Sequence, residues 1–119
     1  MPVDEILGEM AESGDIMMRI DRLCSRASDA RPTGPLLRDI ENGLAEGYVE
    51  ALAGEARSRR LAERLEALVE TLDQAGAAVE IARIVPEKRK LDAQVAVLRD
   101  RLALLREQFE QLRAGSRPG

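Results

Sequence analysis

The apolar residues of this chain fall into two heptad series set in otherwise polar stretches. Stepping by seven from Leu37 meets Leu44, Ala51, Ser58, Leu65 and Leu72, and stepping from Ile40 meets Gly47, Gly54, Leu61 and Leu68. An average spacing of about 3.5 residues keeps one stripe of a helix turned toward a neighbouring helix. The series predicts a helix from Pro35 to about Ala75, closed by Gly76 in the left-handed conformation. A second pair of series runs Ile81, Lys88, Val95, Leu102, Phe109 and Ile84, Leu91, Leu98, Leu105, Leu112. Lys88 is its one polar member. Pro86 lacks a backbone donor and crowds the preceding turn, so a continuous but kinked helix is expected there.

Two long helices in phase across a short connection predict an antiparallel hairpin. Folding about Gly76, near a turn at 74–78, would set Leu72 by Ile81, Leu65 by Lys88, Ser58 by Val95, Gly54 by Leu98, Ala51 by Leu102 and Gly47 by Leu105. The centre of the first seam is small: Gly47, Ala51, Gly54 and Ser58. A glycine inside a helix costs about 1 kcal/mol relative to alanine, so close helix packing must compensate. Either large residues of the second helix seat there, or a further helix crosses, from the N-terminal segment or a second copy.

Residues 1–27 form a short N-terminal helical segment. Val3, Ile6, Leu7 and Met10 recur at helical spacing, as do Ile16, Ile20, Leu23 and Ala27. Ser13-Gly14-Asp15 is expected to break or kink the run, giving one or two short helices. Residues 28–34 are a linker rich in breakers, with Pro35 suited to the first turn of the next helix and Thr33 or Gly34 just before it. Residues 35–113 make the hairpin, and 114–119 a frayed tail.

Some apolar residues fall outside the seam. Tyr48, Val49 and Leu52 on the first helix, and Ala96, Val97, Ala103 and Leu104 on the second, occupy positions normally given to water. Apolar residues clustered on a surface call for a cover. Residues 14–27 folding back, or a second copy building a dimeric four-helix bundle, would supply one. Tyr48, Leu52, Ala96, Val97, Ala103 and Leu104 are therefore the expected partner-binding residues.

Composition narrows the chemistry. Charged residues are 34% and aromatics 2% of 119 residues, a balance that suits long helices better than a globule. The net charge of −4 argues against a dedicated nucleic-acid binder. Basic residues are almost all arginine, with Lys only at Lys88 and Lys90, which together with abundant Ala, Leu and Glu is associated with GC-rich bacterial genomes. Cys24 is alone and no signal peptide or membrane span is legible, so a reduced cytoplasmic setting is expected. Without histidine there is no imidazole base or ligand, and one cysteine cannot build a thiolate metal site. Cys24, among Leu23 and Ile20 in apolar spacing, reads as a buried structural thiol.

Arg57, Arg59, Arg60 and Arg64 form a basic cluster on the first helix, and Pro86-Glu87-Lys88-Arg89-Lys90 a second basic patch. Pairing of Arg59 with Glu55 and Glu63 at four-residue spacing gives an ordinary solvated face. Phosphate recognition by guanidinium forks is the sharper alternative. The outline is similar to that of anti-sigma factors that bind cyclic di-GMP on a helical hairpin. Their Glu-x3-Ser-x2-Arg-x3-Gln-x3-Asp signature is not met around Ser58, where Gly54 and Leu61 stand in the Glu and Arg places.

The expectation is an all-α protein without cofactor or metal. It is a long antiparallel helical hairpin carrying a short N-terminal helix, alone or paired as a dimer. Its expected role is non-enzymatic: an adaptor, chaperone or regulator that binds another protein or itself, not a membrane, a nucleic acid or a small molecule. A regulator responsive to a nucleotide second messenger, binding through the four arginines, is the alternative.

Overall fold

The computed structural model describes the backbone of residues 3–29, 31 and 33–116, and the side chains of 14–29, 31 and 33–115. Among the described residues the chain is all-helical. Helix α1 spans Val3–Asp29, α2 spans Gly34–Glu70 and α3 spans Ala77–Ser116. The expected stripe of Val3, Ile6, Leu7 and Met10, and the end of the tail at 117–119, lie outside the residues whose side chains are described.

Helix α1 runs through Ser13-Gly14-Asp15 without interruption. Gly14 weakens a helix but does not end one, and no second breaker reinforces it. Arg31, the residue before Pro32, is non-helical, as the crowding by a following proline ring predicts. Thr33 then opens α2. Its hydroxyl accepts from the Leu36 amide at 3.2 Å and its carbonyl from the Leu37 amide at 3.0 Å. Thr33 is thus the N-cap. Pro35 stands in the first turn, where a missing N–H costs nothing.

Helix α2 stops at Glu70, short of the expected end near Ala75. The Thr71 hydroxyl bends back to donate to the carbonyls of Ala67 at 3.2 Å and Leu68 at 3.3 Å. Tighter backbone bonds follow, from Thr71 to Leu68, Gln74 to Thr71 and Ala77 to Gln74. Gly76 has the expected positive φ, 90°, but it opens α3 instead of closing α2. Its carbonyl accepts from the Glu80 amide at 3.0 Å. Helix α3 continues through Pro86. Pro86 and Ala82, whose carbonyl loses its partner there, are both exposed, so that carbonyl has access to water.

The chain divides into two compact units. The first comprises residues 1–50 and 98–119. Its core takes Ile20, Leu23, Cys24 and Ala27 from α1, Leu36, Ile40 and Leu44 from α2, and Leu98, Leu102, Leu105 and Phe109 from α3. A Cβ on Gly47 would strike Leu102 and would lie 2.9 Å from an Ile20 methyl, and one on Gly43 would strike Leu23. Side chains of both neighbouring helices fill the space these glycines leave. A crossing helix is therefore the reason for Gly43 and Gly47.

The second unit, residues 51–97, has its own core of Leu68, Ala77 and Ile84 with Leu61, Leu65 and Ile81 packed against it. Residues descending α2 meet residues ascending α3: Arg64 with Glu80, Ser58 with Asp92, Gly54 with Val95. At Gly54 the answer is size matching, since a Cβ would lie 2.6 Å from a Val95 methyl. The expected pairings are displaced by about one helical turn. Gly54 faces Val95 and not Leu98, Gly47 faces Leu102 and not Leu105, and Leu65 joins the Leu68 cluster and not Lys88. The connection accounts for the offset: Thr71–Gly76 is centred before Gln74, earlier in the chain than Gly76.

Candidate interaction surfaces

Both polar intruders in the second unit's seam converge on one residue that the heptad pattern did not single out. The Ser58 hydroxyl donates to Asp92, and the Lys88 ammonium pairs with the same carboxylate at 2.8 Å. Those two contacts, Lys88 first, hold the Asp92 carboxyl below the usual range. The four-residue spacing from Lys88 to Asp92 was the available signal. Ser58 is thus half-buried and satisfied within the chain, and Ala51 is fully buried.

The four arginines of α2 differ in their surroundings. Arg64 forks onto Glu80, with Nε and Nη2 each 3.0 Å from a carboxylate oxygen. The hydrogen bond from Arg64 is the leading cause that keeps the Glu80 carboxyl below its ordinary range. Arg57 is half-buried and engaged, while Arg59 and Arg60 are exposed. At 100° per residue, Arg57, Arg60 and Arg64 share one flank of α2 and Arg59 falls across from them. Nothing in this spacing makes a phosphate cradle of the four.

The expected partner-binding residues are divided between the units. In the first unit Ala103 and Leu104 are exposed, but Tyr48 is half-buried and engaged by α3. The Arg99 guanidinium lies 6.0 Å over its ring, and a hydrogen bond with Tyr48 is the main reason Arg106 holds its proton more firmly. Helix α1 leaves Leu104 43% exposed. Its stripe of Ile20, Leu23 and Ala27 is spent on the core, and Asp21 and Cys24 meet α3 through Arg101 at 2.8 Å and Gln108 at 3.3 Å. In the second unit Leu52, Ala96 and Val97 are exposed.

Sequence reasoning missed the turn end of the second unit. Leu72 was expected to face Ile81 in the seam. It sits in the turn instead, 54% exposed, with Val69 at 56% and Val79 at 75% close by in sequence. Glu66, Glu70 and Asp73 are exposed around them and hold no ion pair among the described residues. Three large apolar side chains and three carboxylates without an ion pair among the described residues are thus exposed within residues 66–79, in and beside the turn. The six-residue turn exposes Leu72, and its length was the part of the pattern that the heptad could not give.

Among the described residues no cluster of His, Cys, Asp or Glu could hold a metal, and no helix is long and apolar enough to cross a membrane. Cys24 is buried. Desolvation and then the neighbouring Asp21 carboxylate push its thiol pKa up, against a smaller opposite effect of Arg101. Comparison with protein-family models, curated proteins and solved structures finds no match.

Proposed function

We propose that this protein is a non-enzymatic interaction module, an adaptor, chaperone or regulator, that grips another protein through an antiparallel helical hairpin. The observation that carries this reading is the turn end of the second unit. Val69, Leu72 and Val79 are more than half exposed, though burying one large aliphatic side chain stabilises by about 1.5–3 kcal/mol. The reverse-order contacts from Leu68 and Ala77 down to Gly54 and Val95 support a hairpin stem, which would hold that end out as a firm tip. The unmatched Glu66, Glu70 and Asp73 point to a partner with an apolar pocket rimmed by basic residues.

The test is site-specific photo-crosslinking in cells from residue 72, with and without Val69→Glu and Val79→Glu. A defined partner band that disappears in the charged variants, at unchanged helicity, is the expected result. Crosslinks no different from those of a probe placed at exposed Arg59 would overturn the reading. Binding that survives both charged variants but is lost with salt and with Arg59→Gln and Arg60→Gln would instead favour a phosphate ligand.

A further inference from the structure

A cleft of about 250 Å³ opens between α1 and α2 in the first unit, lined by Arg19, Arg22, Leu23, Arg26, Asp39 and Asn42. The three arginines stand three and four residues apart, which puts them on one face of α1. Two are anchored to α2: Arg19 pairs with Glu46, and Arg26 with Asp39 at 3.3 Å. Arg22, between them, has no hydrogen bond or ion pair among the described residues, and Asn42 likewise leaves its amide unused. Asp21, the carboxylate next in sequence, is tied to Arg101 on α3. Three guanidiniums against the carboxylates of Glu46 and Asp39 leave one positive charge unmatched at the solvent-exposed rim of the cleft.

We propose that this cleft is a binding site for a small phosphate-bearing ligand, held by Arg22 and Asn42 with help from Arg26. A guanidinium presents a rigid fork of donors that matches two oxygens of a tetrahedral oxyanion. The Asn42 amide supplies a further donor, and Arg26, now held by a single long contact, can share a third oxygen. Leu23 closes the floor and is itself buried, so the site has a fixed wall. The volume admits a phosphate with a small organic group attached. The ligand would bridge α1 and α2, tying the first helix to the rest of its unit.

The experiment uses the isotope-labelled full chain. Inorganic phosphate, adenosine monophosphate and acetate are titrated at constant ionic strength while the Arg22 Nε and Asn42 side-chain amide resonances are followed. Both phosphate probes should saturate these signals with a dissociation constant on the order of 1 mM or tighter. Tighter binding of adenosine monophosphate assigns a monoester, and tighter binding of inorganic phosphate assigns the free ion. Arg22→Gln and Asn42→Ala should each weaken binding, Arg22→Gln by about tenfold. Asp39→Asn, which frees Arg26, should strengthen it, and Arg60→Gln should leave it unchanged. Shifts that never saturate, that acetate reproduces equally, or that saturate at Asn42 with unchanged affinity in Arg22→Gln would overturn the proposal.

Discussion

Gly47 and Gly14 both stand inside helices, and alanine should act on them in opposite directions. A methyl group at Gly47 would collide with Leu102 and Ile20, which are among the most deeply buried side chains of the first unit. Overpacking of that kind costs about 1–3 kcal/mol, and the gain in helix propensity of about 1 kcal/mol only partly offsets it. Gly14 has nothing within 4 Å of such a methyl, so Gly14→Ala should stabilise by about 0.5–1 kcal/mol. Gly54→Ala belongs between them, because Val95 is only half-buried and can give way. Urea melts of the three variants check the order, and an unchanged midpoint in Gly47→Ala would show that the core has slack. Cys24 offers a second measurement at this scale. Its raised pKa and burial disfavour the thiolate, so an aromatic disulfide reagent at neutral pH should modify it far more slowly in the native chain than in urea.

The elements show why some of this was legible and some was not. The heptad series located α2 and α3, because each seam residue repeats a local spacing that needs no knowledge of the partner. Between Thr71 and Gly76 the repeat misleads, because Leu72 keeps the heptad spacing although the helix has already ended at Glu70. Helix α2 ends at Glu70, with the Thr71 hydroxyl bonded to the Ala67 and Leu68 carbonyls, and the connection that follows leaves Leu72 in the open. The occupants of Gly43 and Gly47 were legible only as a vacancy, since a missing side chain does not name its neighbour. The cleft at Arg22 was not legible, because its second wall comes from another helix. The pair Arg64–Glu80 gives a test at this scale. Glu80 has a lowered pKa in the folded chain, so it adds stability above the ordinary glutamate range and loses it as pH falls through the lowered value. Arg64→Ala should therefore reduce the melting temperature at neutral pH, by a small amount because the pair is open to solvent, and match the parent in acid. A difference that persists in acid would assign the effect to packing. Pro86→Ala should raise stability by about 1–3 kcal/mol by restoring the bond to the Ala82 carbonyl. Helicity by circular dichroism should hardly change, since α3 already runs through that position.

At the scale of the whole chain, α2 and α3 contribute to both units while α1 contributes to one. Removing residues 1–29 is therefore an unequal insult. The first unit would lose Ile20, Leu23, Cys24 and Ala27 together with the bonds of Asp21 to Arg101 and of Cys24 and Ser28 to Gln108. Leu36, Ile40, Leu44, Leu102 and Leu105 would be left with one side open to water, a patch large enough to bind hydrophobic dye or pair with itself. Leu68, Ala77 and Ile84 draw nothing from α1, and their packing with Leu61, Leu65 and Ile81 should survive. Hydrogen exchange on the truncated chain should accordingly show amides of residues 36–50 and 98–109 losing protection while those of 61–68 and 80–84 keep it. If both sets lose protection together, the two units unfold as one and the division of the core has no energetic meaning. If neither does, and the truncated chain stays monomeric and free of dye, α1 contributes little to the core and is held by its ligand or partner instead.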